Sequence, residues 1–100
     1  MNQEIYSVDE IKKRFESVAR KYEINEAYLF GSYARGEATI QSDVDIYMKE
    51  GKKIRTLFQL SGFRLEVKDV LEKDVDIVLE NNSNPKLEND IRKDLLKIYG

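Results

Sequence analysis

The chain has 100 residues, of which 36% are charged, and a formal net charge of −2. This length suffices for one hydrophobic core, so we expect a single domain over residues 1–100, without an accessory domain. Cysteine and histidine are absent, which excludes disulfides, the usual zinc, haem and iron–sulfur sites, and mechanisms that need a histidine base or a cysteine nucleophile. Carboxylates, hydroxyls, lysines and an oxygen-binding metal remain available for chemistry.

The charge balance offers no excess positive field for holding nucleic acid, so we expect no direct nucleic-acid partner. No apolar run is long enough to span a membrane, and the first residues have neither a basic nor an apolar leader pattern. We therefore expect a soluble, cytoplasmic protein with no membrane partner.

The first half of the chain predicts a helix, a strand and a short helix. Ser7 to Glu10 has the pattern of a capping box, and an apolar stripe at helical spacing follows to about residue 22. A short apolar and aromatic strand over residues 27–30 ends at Gly31. Residues 32–37 are predicted to form a short helix or turn.

The second half continues the alternation. Strands are predicted from Val44 to Lys49 and from Val75 to Leu79, with a helix from Thr56 to Leu71 between them. Gly62 either permits close packing of this helix or marks a kink. The apolar residues predicted on one side of the helix are Leu57, Leu60, Val67 and Leu71.

The last segment is predicted as an amphipathic helix. Asn84 and Pro85 resemble an N-cap followed by proline at the first helical position. Apolar residues then recur at helical spacing, and the helix is predicted to continue to Tyr99; they are Leu87, Ile91, Leu95 and Ile98. The order of elements predicts an α/β fold in which helices flank a small mixed β-sheet.

Three aspartates lie in otherwise apolar strands, where an ionised carboxylate is costly unless a cation or hydrogen bonds compensate. Asp43 and Asp45 project from the same face of their strand because side chains alternate. If the strand that carries Asp76 lies beside them, the three carboxylates can hold one or two divalent cations, Mg²⁺ or Mn²⁺. Asp76 would then be a third metal ligand or the general base for an attacking hydroxyl. A polyphosphate is the natural ligand of such a metal site.

The turn at Gly31 and Ser32 supplies groups that suit the other side of a polyphosphate. Glycine lets the backbone approach a phosphate closely, and the amides that open the following helix point donors at an anion, together with the Ser32 hydroxyl. Arg35 either adds a guanidinium contact to the phosphates or braces the loop.

The motif resembles that of a known superfamily. Phe30-Gly31-Ser32, a ten-residue spacer and Asp43-Val44-Asp45-Ile46 are similar to the signature of the DNA polymerase β-like nucleotidyltransferases. More narrowly, Gly31 to Ala38 and Ser42 to Asp45 resemble the minimal nucleotidyltransferases of bacteria and archaea. The resemblance extends over nearly the whole chain.

This resemblance implies the nucleotidyltransferase fold and the transfer of AMP from ATP, with magnesium and release of pyrophosphate. Members of the minimal group are often encoded with a HEPN-domain toxin and act as its antitoxin by attaching AMP to a tyrosine. A hetero-oligomer with such a toxin is therefore implied. The matching metal-binding and catalytic residues are Asp43, Asp45 and Asp76, and the matching nucleotide-binding residues are Gly31, Ser32, Arg35 and Ser42.

Tyr47 departs from the family pattern, which has an apolar or small residue there. By alternation it lies on the carboxylate face, where it either lines the site or is a partly buried strand tyrosine.

Three functions remain open at this point. The first is adenylyl transfer to a partner protein, favoured because the chain has no residues left for a domain that would hold the acceptor. The second is a non-catalytic module that neutralises a toxin by direct contact. The third is nucleotidyl transfer to a small molecule such as an aminoglycoside.

Overall fold

The computed structural model describes residues 5–49, 51, 53–80 and 85–100. Within these ranges, no helix is long and apolar enough to cross a membrane. Helices and strands follow one another along the chain as α1 (Val8–Lys21), β1 (Glu26–Phe30), α2 (Gly31–Arg35), β2 (Val44–Lys49), α3 (Leu57–Leu71), β3 (Val75–Leu79), α4 (Pro85–Arg92) and β4 (Leu96–Tyr99).

The strands form one sheet in the order β3, β2, β1, β4. β2 is antiparallel to β1 and parallel to β3, while β4 is antiparallel to β1. The parallel pair needs a crossover connection, and α3 provides it. The predicted α/β fold with a small mixed sheet and flanking helices is therefore confirmed.

The core lies between one face of the sheet and the inner sides of α1 and α3. The ring of Phe15 on α1 meets Phe63 on α3 edge to face, with centroids 6.0 Å apart, and meets Tyr99 of β4 at 6.3 Å. The central strands contribute the fully buried residues Ala27, Leu29, Val44, Ile46 and Met48. Because side chains alternate, Asp45 and Asp76 point to the opposite face, away from this core.

Both long helices begin at side-chain caps. The Ser7 hydroxyl accepts a hydrogen bond from the Glu10 amide at 3.1 Å, which is one half of the capping box predicted for α1, whereas the Glu10 side chain pairs with Arg14 at 2.8 Å. At α3, Thr56 and Gln59 form a reciprocal capping box. Satisfying these free amides fixes where each helix starts.

α3 is apolar on two faces. Its inner face buries Phe63 and Val67 completely, and the helix runs unbroken through Gly62, where a Cβ would lie 3.4 Å from the Tyr22 hydroxyl. The helix therefore does not end at Gly62, and a side chain at this position would make an ordinary van der Waals contact with Tyr22. Leu57 was predicted to share the inner side, but its side chain is 79% exposed. That prediction is wrong for Leu57: its helical position is within about 40° of the buried Leu71, but it is the first residue of α3 and its side chain lies outside the core.

The predicted C-terminal helix is correct in its first half and wrong in its second. Pro85 is the first residue of α4, as predicted, whereas Asn84 lies outside the described residues. The chain turns at Lys93 and Asp94, and β4 then pairs with the edge of β1. Ile98 is buried, but as part of this strand. Pairing with an open sheet edge outweighs the helical spacing of the apolar residues.

Candidate active site

The adjacent strands β2 and β3 bring the carboxylates of Asp45 and Asp76 side by side. Asp45 on β2 is in register with Phe30 on β1 and with Asp76 on β3. Asp43 lies two residues before Asp45, just ahead of β2, and is exposed. The prediction that the strand carrying Asp76 lies beside Asp45 is confirmed.

Gly31 lies directly against Asp45. Its φ angle is +72°, in the left-handed region that favours glycine. A Cβ at this position would clash with Oδ2 of Asp45, well inside van der Waals distance. Only glycine therefore fits, and the turn predicted to bind phosphate is packed against a carboxylate predicted to bind metal.

Burial raises the pKa of Asp45 from 3.8 to about 6, and the negative charges of Asp76 and Asp43 add to this effect. The positive charge of Arg35 lowers the pKa of Asp45 and so opposes part of this rise. None of the ion pairs formed between described residues includes Asp43, Asp45 or Asp76. The site thus holds several carboxylates close together, and the Arg35 charge acts on Asp45 without forming an ion pair with it.

This donor set fits a magnesium or manganese ion. Carboxylate oxygens are the preferred ligands of both metals, and Mg²⁺ in enzymes commonly uses one or two carboxylates together with substrate phosphates. Asp43 and Asp45 can meet that requirement. Across the described ranges, no group of three or more acidic side chains is arranged to hold a metal by itself. A role for Asp76 as a third ligand stays a prediction.

Ser32 and Arg35 belong to the short helix α2. Ser32 follows Gly31 and is partly exposed, so its hydroxyl is accessible beside the carboxylates. The Arg35 guanidinium lies 3.3 Å from Oδ2 of Asp94 and 3.6 Å from Oε1 of Glu37. Arg35 therefore braces neighbouring chain segments, while its charge still acts on the nearby site.

Ser42 orders the loop that leads into β2. Its hydroxyl accepts a hydrogen bond from the Thr39 amide at 2.8 Å, and its own amide donates to the Thr39 carbonyl at 3.0 Å. These bonds fix the backbone immediately before Asp43. Ser42 thus positions the carboxylate, and its predicted contact with the nucleotide stays a prediction.

Tyr47 is 4% exposed and lies between Tyr28 on β1 and Val78 on β3. It occupies the row of the sheet two residues along from Asp45. The structure favours the interpretation of Tyr47 as a buried strand tyrosine.

A pocket of about 780 Å³ lies beside Asp43, and no pattern in the sequence predicts it. Lys73 in this pocket is 8% exposed, and its ammonium group has no hydrogen-bond partner among the described residues. In the sequence, Lys73 belongs to an ordinary charged turn between α3 and β3, so no motif distinguishes it. The pocket is lined by Ile40, Gln41, Ser42, Asp43, Leu65, Lys68, Asp69, Glu72, Lys73 and Asp74.

Comparison with known proteins identifies the family. The family model described as "Polymerase beta, Nucleotidyltransferase" matches residues 10–100. The chain belongs to this nucleotidyltransferase family. A Methanocaldococcus jannaschii protein named "Putative protein adenylyltransferase" is 32% identical to this nucleotidyltransferase over 92 residues, which cover 92% of the chain and 98% of the relative. A second protein of that name and organism is 34% identical over 88% of the chain and 90% of the relative.

Solved structures share the fold of this nucleotidyltransferase. A structure named "putative minimal nucleotidyltransferase" has a TM-score of 0.74 at 28% identity and covers 91% of this chain and 95% of its own. A toxin–antitoxin crystal structure with AMP-PNP has a TM-score of 0.77 at 21% identity. The match covers 89% of this chain and 73% of the other. A third match is a chain from the complex of tri-AMPylated Shewanella oneidensis HEPN toxin with MNT antitoxin. Its TM-score is 0.69 at 18% identity, and the match covers 90% of this chain and 70% of the other. The expected nucleotidyltransferase fold is confirmed.

Proposed function

We propose that this protein is a magnesium-dependent protein adenylyltransferase that transfers AMP from ATP to a tyrosine of a HEPN-domain toxin and thereby acts as its antitoxin. The observation that carries the proposal is the contact between Gly31 and Asp45, with Asp43 and Asp76 beside it. It joins a phosphate-binding turn to a cation-binding carboxylate cluster. The proposed setting is the cytoplasm, where ATP is available, in a hetero-oligomer with the toxin.

The comparisons support both substrates of the proposed reaction. The relatives in M. jannaschii are named as protein adenylyltransferases. One antitoxin structure of the same fold contains AMP-PNP, an analogue of ATP, and another contains an AMPylated HEPN toxin. These proteins favour ATP as the donor and a HEPN-domain protein as the acceptor.

The order of groups across the sheet gives the proposed reaction a direction. Gly31 and Ser32 lie at the end of β1, Asp76 lies on β3, and Asp45 lies between them. In-line displacement at phosphorus requires the attacking and leaving oxygens to lie on opposite sides. We therefore assign the leaving pyrophosphate to the side of Gly31 and the acceptor hydroxyl to the side of Asp76.

Each residue then has a task in the transfer. Asp43 and Asp45 would hold the magnesium ion, which when bound neutralises the charge of the polyphosphate. The Ser32 hydroxyl donates a hydrogen bond to a phosphate oxygen of the leaving pyrophosphate. Asp76 takes the proton of the tyrosine hydroxyl while the tyrosine oxygen bonds to the α-phosphorus and the bond from that phosphorus to pyrophosphate breaks.

Mass spectrometry of the acceptor tests this function. The product of the neighbouring gene, which this proposal identifies as a HEPN-domain protein, is incubated with the chain, ATP and magnesium, and we expect the mass of one or more AMP groups to appear on a tyrosine. Asp43→Asn and Asp45→Asn should abolish the modification while folding and toxin binding persist. The matched control Asp9→Asn, on the exposed side of α1, should retain it. An unmodified toxin after reaction with the folded wild-type protein would refute the proposal.

Two further results would favour the other functions considered, neutralisation by contact alone and transfer to a small molecule. If Asp43→Asn and Asp45→Asn still neutralise the toxin as well as the wild type, contact without chemistry is the mechanism. If labelled AMP appears on an aminoglycoside and not on the toxin, the acceptor is a small molecule.

A further inference from the structure

We infer that the outer side of α3, with the pocket at its C-terminal end, is the docking surface for the acceptor protein, and that the docked segment combines apolar side chains with lysine or arginine. This inference rests on the proposed function, because it locates the acceptor of that reaction. The surface, called here the α3 face, comprises Leu57, Phe58, Ser61, Leu65, Asp69 and Glu72.

The N-terminal half of the α3 face is an exposed apolar surface. Leu57, Phe58 and Leu65 are 79%, 89% and 65% exposed. Phe58 and Leu65 are two helical turns apart and therefore lie on one ridge, with Ser61 between them. Large apolar side chains grouped in this way on a surface typically mark a protein interface.

The C-terminal half of the α3 face is acidic. Asp69 forms no ion pair with any described residue, and the Glu72 side chain, 3.8 Å from Arg14, is 64% exposed. The pocket has four carboxylates and two lysines in its lining, and one of those lysines, Lys68, is already paired with Asp74 at 3.0 Å. This excess of negative charge favours a basic side chain on the docked segment.

Lys73 adds a buried ammonium group beneath the pocket. This group has no hydrogen-bond partner among the described residues. The Tyr6 ring, with its centroid 5.6 Å away, offers a cation–π contact but no hydrogen bond. A buried ammonium group without an acceptor is costly, and the carbonyl groups of a docked polypeptide would satisfy it only after the Lys73 side chain moves toward the pocket.

The pocket connects the α3 face to the proposed active site. Asp43 lines this pocket together with Leu65 of the α3 face. Its volume of about 780 Å³ is within the range of pockets that hold ligands, about 300–1,000 Å³. The C-terminal end of α3 leads directly into β3, so a segment docked along α3 must pass around this end of the sheet to reach Asp76, whose side chain points to the face opposite α3.

Site-specific crosslinking tests the location of the surface. The chain has no cysteine, so Ser61→Cys introduces a single thiol on the α3 face, and Ser17→Cys introduces one on the exposed side of α1 as a matched control. Each variant carries a thiol-linked photo-crosslinker, and the probe is the purified product of the neighbouring gene, which the proposed function identifies as a HEPN-domain protein. We expect crosslinking from position 61 and not from position 17. No crosslink from position 61, equal crosslinking from both, or a crosslink only to a second copy of this chain overturns the inference.

Substitutions test the chemistry of the docked segment. Phe58→Ser with Leu65→Ser, and separately Asp69→Lys with Glu72→Lys, should each raise the Kd for the HEPN-domain protein and the KM for it as acceptor at least tenfold. ATP affinity should not change. The control Leu96→Ser, at a 37% exposed position on β4 at the other edge of the sheet, should bind like the wild type. Wild-type binding by either double variant overturns the corresponding half of the inference.

The outcomes distinguish this inference from the proposed function. Crosslinking from position 61 without any AMP transfer refutes the proposed function and leaves the docking surface in place. Undiminished AMP transfer by both double variants refutes the docking surface and leaves the function in place.

Discussion

Asparagine at position 45 should stabilise the metal-free protein while abolishing the proposed transfer. Burial, together with the charges of Asp76 and Asp43, raises the pKa of the Asp45 carboxyl from 3.8 to about 6. At about 1.4 kcal/mol per pKa unit, the ionised carboxylate lowers the free energy of unfolding by about 3 kcal/mol well above pH 6. Solvent screening reduces this value, so we expect Asp45→Asn to raise the free energy of unfolding by roughly 1–3 kcal/mol at pH 8.

The effect should depend on pH in a definite direction. Because the pKa of Asp45 is higher in the folded state, the folded protein binds more protons than the unfolded chain between about pH 4 and pH 6. The resulting stabilisation of the wild type is fully present below about pH 4 and is lost as the pH rises through 6. Asparagine does not titrate, so the advantage of the variant should grow from near zero at about pH 4 to its full value above about pH 7.

Urea unfolding followed by circular dichroism, with a chelator present, measures this difference at both ends of the pH range. Asp9→Asn, at an exposed position on α1, serves as the control and should change stability little. Magnesium should then stabilise the wild type more than Asp45→Asn, because ligand binding to the folded state adds to its stability. A variant that is less stable than the wild type at pH 8 in chelator, or a difference that does not vary with pH, would refute the reasoning.

Three further predictions concern the glycine turn, α3 and the metal. Gly31→Ala should lower the free energy of unfolding by at least about 2 kcal/mol and Gly36→Ala by about 1 kcal/mol, because both residues have positive φ but only a Cβ at Gly31 meets another side chain within 4 Å. Equal losses in urea unfolding would contradict this contact. Phe63→Ala should cost about 3–5 kcal/mol and Phe58→Ala less than about 0.5 kcal/mol, since the first residue is fully buried and the second is 89% exposed. A large loss for Phe58→Ala in the same assay would show that the outer side of α3 is packed. ATP binding, measured by calorimetry, should weaken at least about tenfold in chelator and in Asp43→Asn, and equal affinity with and without metal would rule out the proposed magnesium site.

Hydrophobic periodicity in the sequence correctly predicts the three strands that carry the core, β1, β2 and β3. β1, β2 and β3 alternate or are continuously apolar, and each lies where the sequence places it. Periodicity fails for β4, because Ile91, Leu95 and Ile98 fit a helix equally well. What decides their structure is the open edge of β1, which is distant in sequence and invisible to a local pattern.

The candidate site divides in the same way. Side chains alternate along β2, so if a neighbouring strand carries Asp76, the sequence alone predicts that Asp45 and Asp76 lie side by side on one face of the sheet. The contact of Gly31 with Asp45 depends on how tightly α2 turns back over the sheet, and no local pattern encodes that distance. Leu57 was predicted on the inner side of α3 because its spacing matches that of the buried Leu71, but it is exposed as the first residue of the helix. A helix with two apolar sides gives a weak periodic signal.

α3 is the crossover between the strand that carries Asp45 and the strand that carries Asp76. Its inner side packs on the core through Phe63 and Val67, and its ends are continuous with the segments that lead to these two strands. An acceptor docked outside α3 and a nucleotide held by the carboxylates would therefore contact groups that this helix connects. Thermodynamic linkage then requires reciprocity: by whatever factor the acceptor tightens nucleotide binding, the nucleotide tightens acceptor binding.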